Sequence, residues 1–189
     1  MNMNIDNWSI EKYNFTEDEI KLTLSHFVPK TIKGNEYFLK SGEISSYIGY
    51  VKKGLLRSYF YDDRANEITT NFFPEGSLII EADSFNNRIP SKEYIKAIED
   101  SELSVISYQK QMELYELIPA WHQICKDMGD IKISEMLDRT ESFQTLSASE
   151  RYQKFCKEYP QLSQRVNLGY IASFIGVDNA TLSRIRKKK

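Results

Sequence analysis

Apolar residues change their spacing three times along the chain. In residues 6–28 they recur at helical intervals, which predicts a helix that Thr16 caps, with Glu19 completing the capping box and Pro29 ending it. Residues 30–108 instead carry short runs rich in Tyr, Phe, Ile, Val and Thr that glycines separate, and such runs predict strands. Many short strands with turn signals indicate a sandwich or barrel rather than alternating strands and helices.

Five of these runs are predicted strands: residues 36–40, 47–51, 55–61, 68–73 and 93–98. Residues 62–66 have the composition of a hairpin turn between the third strand and the fourth. Glu81 and Asp83 lie two positions apart, so on a strand their carboxylates would point the same way. Such a pair is far more often a solvated face than a catalytic dyad.

The helical period returns after residue 108. A short helix over 109–117 is followed by Pro119, and a longer helix starts two residues later. Its apolar residues lie at Trp121, Ile124, Met128 and Ile131. Their 3-4-3 spacing predicts a seam that packs on one partner helix. Gly129, in the middle of this helix, is most easily accommodated where another helix approaches closely.

Further helical segments complete the chain. Either Ser147 or Ser149 caps the first of them, which ends before Pro160. Residues 161–189 then carry two short helical patterns that Gly176 separates. The pattern shows no internal repeat and no Pro-rich or Ser-rich linker.

The composition, 41% hydrophobic and 28% charged, is that of a globular protein rather than a disordered or repetitive one. The longest apolar runs are only a few residues long, so no membrane-spanning helix is predicted. No secretory signal follows Met1, and Cys125 and Cys156 are the only cysteines. Two thiols in a chain without a visible signal indicate a reduced, cytoplasmic protein.

The net charge of −2 hides an uneven distribution. Lys and Arg number 25 and Asp and Glu number 27, a balance that argues against a nucleic-acid binder when the chain is taken as a whole. Residues 163–189, however, hold six basic residues and one acidic residue, Asp178. That segment therefore carries +5 and the remainder −7, which predicts two parts with different partners.

The segment 167–186 predicts a helix-turn-helix. Asn167 is a good cap for the first helix, and Asp178 suits the positive end of the second. Ala172 is small enough for the two helices to cross closely, and Gly176 lies where the turn needs a positive φ. The predicted shared core consists of Ile171, Ile175, Val177, Leu182 and Ile185.

The face of the second helix outside this core has the composition of a DNA-recognition helix. It carries Asn179, Ala180, Ser183, Arg184 and Lys187. Arg184 suits a guanine, which a guanidinium binds through two hydrogen bonds, and Asn179 suits an adenine. Phosphate contacts are predicted for Thr181, Arg186, Lys188 and Lys189. Short helices around a glycine and lysine-rich ends are each common, but their coincidence at these offsets favours DNA binding.

These features resemble the Crp/Fnr superfamily of bacterial transcription regulators. The resemblance rests on residues 41–43, 51–57 and 72–76 and on the closing motif at 171–184. It implies an α+β fold with an N-terminal β-roll of the cyclic-nucleotide-binding type, a double-stranded β-helix or jelly roll with flanking helices. A long dimerisation helix and a C-terminal winged helix-turn-helix would follow. The corresponding domains would be residues 1–118, 119–146 and 147–189.

The resemblance also implies partners. It predicts a homodimeric regulator that binds a near-palindromic operator in double-stranded DNA, contacts RNA polymerase and responds to an unknown small-molecule effector. It places Asn179, Ala180 and Arg184 at the base-reading positions.

The segment that would bind a cyclic nucleotide departs from the family pattern. Members carry a Gly-Glu pair and, about ten residues later, an Arg followed by a small hydroxyl residue and Ala. Here Glu81 matches the glutamate, but the arginine position falls near Ser91. Without that guanidinium a cyclic phosphate loses its main charge-assisted partner, so neither cAMP nor cGMP is the predicted effector. The candidate pocket residues are Glu81, Arg88, Ser91 and Lys92.

No cofactor, metal or catalytic activity is predicted. The two cysteines lie outside the ligand spacing of an iron–sulfur cluster, and His26 and His122 are lone histidines without zinc-ligand spacing. The chain has no Gly-rich phosphate loop, nucleophile elbow or Cys/His signature. The alternative to a DNA-binding regulator is a β-roll ligand sensor whose C-terminal helices dock a protein, and the salt dependence of binding separates the two.

Overall fold

The short apolar runs between residues 28 and 107 form two four-stranded sheets in this computed structural model, which describes residues 12–187. The strands are β1 (Val28–Ile32), β2 (Tyr37–Leu39), β3 (Tyr47–Lys53), β4 (Leu56–Tyr61), β5 (Glu67–Phe73), β6 (Leu78–Ile79), β7 (Tyr94–Ala97) and β8 (Ser101–Ser107). The first sheet has the order β1-β8-β3-β6 and the second the order β2-β7-β4-β5. The predicted β-roll and α+β fold class are confirmed.

The apolar core of the roll comes from strand residues that are all at most 4% exposed. They are Ile32, Leu39, Val51, Leu56, Phe73, Ile79, Ile95, Ala97, Leu103 and Val105. The register of the first sheet follows from this burial, because slipping a strand by one residue would turn its apolar side chains away from the core. Val28 of β1 and Gly49 of β3 both pair with Val105 of β8, on its two sides.

The predicted hairpin turn between β4 and β5 is confirmed. Asp62 Oδ1 accepts hydrogen bonds from the backbone nitrogens of Arg64 (2.9 Å) and Asn66 (2.8 Å). Ala65 adopts a left-handed conformation with φ of +61°. The aspartate thus fixes the turn through its own side chain, as the sequence indicates.

Eight helices lie wholly within the described residues 12–187. They are α1 (Glu17–Ser25), α2 (Ala82–Asn87), α3 (Tyr108–Leu117), α4 (Trp121–Thr145), α5 (Ala148–Glu158), α6 (Leu162–Arg165), α7 (Leu168–Phe174) and α8 (Asn179–Lys187). Ser147, not Ser149, caps α5, and Glu150 completes its capping box. The other sequence-predicted capping box is confirmed at α1, where Thr16 and Glu19 bond to each other's backbone nitrogens.

The start of the chain differs from the prediction in one respect. The first part of the predicted helix over 6–28, residues 6–11, lies outside the described part of the chain. Pro29 does not lie between a helix and a sheet but inside β1, where it pairs in register with Ser104. Since β1 is an outer strand, a residue without a backbone N–H is tolerated there.

Helix α2 lies in a segment between the predicted strands 68–73 and 93–98, for which the sequence predicted no element. Glu81 is its N-cap, with its carboxylate accepting a hydrogen bond from Ser84 N (2.8 Å), and Asp83 lies in its first turn. Glu81 and Asp83 therefore do not lie on a strand. The carboxylate at position 81 instead satisfies a backbone N–H at the start of the helix.

The chain packs as two compact units. The first contains residues 12–58 and 72–128, and the second contains residues 59–71 and 129–187. The second unit thus combines the outer part of the β4–β5 hairpin with most of α4 and with α5 to α8. The division into domains at 118/119 and 146/147 stays a prediction.

The predicted seam of α4 is wrong for its first three residues. Trp121 and Ile124 are 8% and 1% exposed and pack in an apolar cluster of the first unit that includes Ile106 and Ile118. Met128 packs against the same cluster, so these seam residues contact other elements of the same chain rather than a second copy of α4. Residues 129–138, in contrast, are all exposed.

The wing implied by the family resemblance is not found in residues 147–187. This described segment contains helices and turns but no strand. No helix in residues 12–187 combines the length and the apolar character that crossing a membrane requires.

Candidate nucleic-acid interface

The first helix of the predicted motif, α7, begins and ends as its sequence indicates. Asn167 Oδ1 accepts a hydrogen bond from Gly169 N at 2.8 Å, which confirms the predicted N-cap. At the other end, Val177 N donates to Ala172 O (2.9 Å) across Gly176, whose φ is +69°. This backbone closure requires a residue without a side chain at the left-handed position.

The second helix, α8, is capped by Asp178. One carboxylate oxygen accepts from Thr181 N (2.6 Å), the other from Thr181 Oγ1 (3.1 Å), and Leu182 N donates to the Asp178 carbonyl (3.0 Å). The two hydrogen bonds from Thr181, led by the one from its backbone nitrogen, lower the pKa of Asp178. The ionised carboxylate is thus the form that stabilises the start of α8.

Replacing Asp178 tests this cap. Because its pKa is lowered in the folded chain, its contribution is present at neutral pH and is lost as pH falls below about 4. Asp178→Ala is expected to lower the thermal midpoint at pH 7, whereas Asp178→Asn keeps a capping oxygen and should retain much of the stability. Thermal unfolding at pH 7 and pH 3 should show a smaller acid-induced loss in Asp178→Asn than in the wild type. An unchanged acid-induced loss would show that other carboxylates are responsible.

The core shared by the two helices is largely as predicted. Ile171 and Leu182 are fully buried, and Ala172 and Ile175 are 2% and 4% exposed. Val177 and Ile185, also predicted core residues, are half-buried. The small side chain at Ala172 lies at the bottom of this contact, consistent with a close crossing of α7 and α8.

The structure places the predicted DNA-contacting residues on the outside of α8. Asn179, Ala180, Ser183, Arg184, Arg186 and Lys187 are exposed, and Thr181 is half-buried. In the absence of DNA the guanidinium of Arg184 donates to Thr181 Oγ1 at 3.0 Å. Lys188 and Lys189 lie outside the described residues. Their contacts to phosphate, and those of the other residues to DNA, stay predictions.

The positive charge of Arg186 also acts on a tyrosine of α5. Burial and a hydrogen bond with Cys156 raise the pKa of Tyr152 on α5, and the positive charge of Arg186 opposes that rise. The phosphate contact of Arg186 stays a prediction.

Two arginines that the sequence analysis missed hold the end of α7. Arg139 on α4 donates to the carbonyl of Phe174 (3.1 Å), and Arg151 on α5 donates through Nε to the carbonyl of Ile175 (2.8 Å). The last carbonyls of a helix have no partner within it, and cations are favoured there. Both guanidinium groups also lie over the ring of Phe143, at 5.6 and 5.1 Å. No local sequence signal indicates these contacts, because the acceptors are backbone atoms distant in sequence.

Three of the four candidate effector residues have a contact within the protein. Besides Glu81, which caps α2, Arg88 donates to the carbonyl of Ser45 (2.6 Å) and lies 4.4 Å from the centre of the Tyr108 ring. Ser91 is 4% exposed and its hydroxyl donates to the carbonyl of Glu93 (2.9 Å), while Lys92 is exposed.

These residues are not among those that line a cavity in the same unit. That cavity, of about 190 Å³, is lined by Lys30, Phe38, Leu39, Glu43, Ile44, Ser45, Ser46 and Tyr47. Within residues 12–187 no group of three His, Cys, Asp or Glu side chains is arranged to hold a metal ion. The effector role of the four candidates stays a prediction.

Comparison with known proteins agrees with this architecture. The cyclic nucleotide-binding domain family matches residues 29–117. FixK2 from Bradyrhizobium japonicum is 15% identical with a TM-score of 0.75, and the match covers 86% of this chain and 83% of that one. CLP from Xanthomonas campestris, a c-di-GMP responsive global regulator, is 19% identical with a TM-score of 0.69 and coverage of 92% and 91%. The chain therefore shares the fold of these structures.

A third structure with the Crp/Fnr fold is the catabolite activator protein of Thermus thermophilus. It is 17% identical to this chain, with a TM-score of 0.59, and the match covers 93% of this chain and 84% of that one. No curated protein sequence matches the chain. Of these structures, CLP is a global regulator and the Thermus protein is a catabolite activator.

Proposed function

We propose that the chain is a sequence-specific DNA-binding transcription regulator. The observation that carries this proposal is the α7–turn–α8 motif, whose second helix presents Asn179, Ala180, Ser183 and Arg184 on one exposed face. The N-terminal residues of such a helix reach base edges when it lies in the major groove. Arg186 and Lys187, at the other end of the helix, supply positive charge for the phosphates beside it.

The charge distribution supports the same orientation on DNA. Residues 163–189 carry +5 and the rest of the chain −7. The acidic remainder of the chain is repelled by the phosphate backbone, so the chain would approach DNA through its C-terminal segment. A near-neutral total charge is therefore compatible with DNA binding when the positive charge is concentrated in one segment.

The same proposal includes a homodimer formed through α4. Ile133, Met136 and Leu137 are 57%, 62% and 65% exposed, although they are large apolar residues. Their spacing of three and four residues puts them on one face of the helix together with Gly129 and Thr140. An added Cβ at Gly129 would meet nothing within 4 Å in the single chain. A second copy of α4 is the occupant that this face favours, since two recognition helices about 34 Å apart read successive turns of a palindrome.

Selection of bound sequences from a random DNA pool tests the proposal directly. A regulator of this kind should enrich a motif with two-fold symmetry whose half-sites are about one helical turn apart. Enrichment of a single, asymmetric motif would argue against the homodimer, and no enrichment would argue against sequence-specific binding.

Arg184→Ala is expected to weaken binding to the selected operator by about 1–3 kcal/mol and to relax the preference at one base position. The reason is the loss of a bidentate contact to a base. Lys187→Ala is the matched control on the same helix, because a phosphate contact should lower affinity for all sequences alike and reduce the salt slope by about one. Electrophoretic mobility shifts over a panel of single-base operator variants measure both effects. An equal loss on every sequence in Arg184→Ala would make Arg184 a phosphate contact.

The alternative, a sensor whose C-terminal helices dock a protein, makes a different prediction about salt. Binding to DNA through about five basic contacts releases condensed counterions and should weaken steeply as salt rises. A protein partner would give a shallower dependence. The exposed basic end of α8 favours DNA.

We propose no cyclic nucleotide as effector. Glu81 and Arg88 are both engaged within the protein, and Ser91 stands where the family arginine would contact phosphate. An anionic ligand would have to displace these internal hydrogen bonds without gaining the guanidinium that usually compensates for them.

A further inference from the structure

Ser173, near the end of α7, takes the place of a neighbouring strand beside β5. Its hydroxyl accepts a hydrogen bond from Thr69 N (2.8 Å) and donates one to the carbonyl of Glu67 (2.9 Å). β5 is the outer strand of its sheet, and a paired strand would satisfy two such groups two residues apart. A serine can do so with one atom because a hydroxyl is both donor and acceptor.

Arg139 on α4 binds the next part of the same strand. Its guanidinium donates to the carbonyls of Thr69 (3.2 Å) and Thr70 and, from the same nitrogen that bonds Thr69, to the carbonyl of Phe174 (3.1 Å). It also lies 4.2 Å from the centre of the Phe174 ring. One rigid, planar group thus joins the long helix, the hairpin strand and the end of α7, which a lysine could not do.

These contacts, here called the α7 anchor, comprise Ser173, Arg139 and residues 67–70 of β5. All of them lie within the second unit of the chain. Thr69 is fully buried, so its backbone groups depend on these partners. The anchor therefore fixes α7 against both α4 and the hairpin.

The anchored arrangement leaves the recognition face open. Asn179, Ser183 and Arg184 are exposed, and neither Ser173 nor Arg139 lies on α8. The anchor consequently does not occlude the face that would read DNA. It acts on that face only through the orientation of α7, which α8 shares through the buried Ile171 and Leu182.

We propose that Ser173 and Arg139 are positioning residues that orient the recognition helix for simultaneous contact with two half-sites. This inference rests on the proposed function, a dimer that reads a two-fold operator. A helix-turn-helix that is already held in the orientation needed for DNA loses less conformational freedom on binding. That advantage matters most when the two motifs of a dimer must bind together, because binding of the second motif to its half-site depends on how it is oriented relative to the first.

The test uses the full chain with Ser173→Ala and Arg139→Lys, which keeps the charge but loses the planar fork. Ser163→Ala is the matched control, since Ser163 Oγ bonds only the nearby carbonyl of Pro160. Binding is measured on the selected operator and on the same DNA with one half-site scrambled. Both anchor variants should lose about tenfold on the full operator but less than about twofold on the half-site DNA. Their salt slopes should equal that of the wild type, because no phosphate contact is removed.

Equal losses of affinity on the two DNAs would show that the variants damage the helix-turn-helix itself, and this would overturn the positioning role. Unchanged binding in both variants would overturn it as well. Hydrogen exchange at the Thr69 amide reports the anchor without DNA and should accelerate in Ser173→Ala but not in Ser163→Ala. An amide that exchanges freely in the wild type would also overturn the proposal. If the wild type binds no DNA, the proposed function fails, and a protected Thr69 amide would then leave the anchor a purely structural contact.

Discussion

Leu137→Glu is expected to convert the protein to a monomer and to weaken binding to a two-half-site operator by about 100-fold or more. Leu137 is 65% exposed in the single chain, so the substitution removes little packing within the chain itself. In the proposed dimer it would bury two carboxylates against an apolar face without partners. Light scattering at micromolar concentration and mobility shifts with the full operator measure the two effects.

Ile131→Glu separates two descriptions of the dimer. The sequence places Ile131 in a seam with Trp121 and Ile124, but the structure buries those two residues inside the first unit. Ile131 lies two positions from Ile133, on the opposite side of the helix. Ile131→Glu should therefore remain dimeric while Leu137→Glu does not. The reverse result would show that the seam predicted from the spacing forms the interface after all.

The second large effect is expected at the turn of the helix-turn-helix. Gly176→Ala should destabilise the protein by about 2–4 kcal/mol, because the backbone at this position is left-handed and the added methyl has no room. A Cβ at Gly176 would lie 2.5 Å from Cε1 of Phe143. Chemical unfolding measures the loss of stability. Binding to the operator should fall as well, since the turn sets the angle between α7 and α8.

Gly42 provides the control for this substitution. Its φ of +88° is also left-handed, but an added Cβ there would meet nothing within 4 Å. Gly42→Ala should thus show the backbone cost alone, about 1–2 kcal/mol. Gly176→Ala placed in a Phe143→Leu background should cost less than in the wild type, because the two positions are in contact. A strictly additive result would mean that Phe143 is not what the methyl meets.

The features that the sequence predicted correctly depend on residues close together along the chain. Asn167, Gly176 and Asp178 bond to, or shape, backbone within a few positions of themselves, so their residue types alone indicate their roles. The hairpin turn at Asp62 is predictable for the same reason. The recognition face follows from these local signals, since capping at Asp178 fixes where α8 begins.

The features that the sequence did not predict depend on distant partners. Arg139 and Ser173 act on backbone atoms of β5 that lie about 70 and 104 positions away, and an acceptor carbonyl leaves no trace in the sequence. The spacing of Trp121 and Ile124 indicates an apolar face correctly but does not specify which element covers it. Helix α2 is six residues long, too short for a periodic pattern to distinguish it from a strand or a loop.

The anchoring of α7 on β5 has a consequence for solubility. An outer strand with free N–H and carbonyl groups is a template on which other chains can add strands, and proteins commonly cover such edges. Here a single hydroxyl, that of Ser173, occupies two of those groups, and Arg139 occupies the carbonyls beside them. A chain in which α7 is detached from β5 would therefore expose an aggregation-prone strand edge. Contact between α7 and β5 would thus protect the protein from self-association as well as orient its recognition helix.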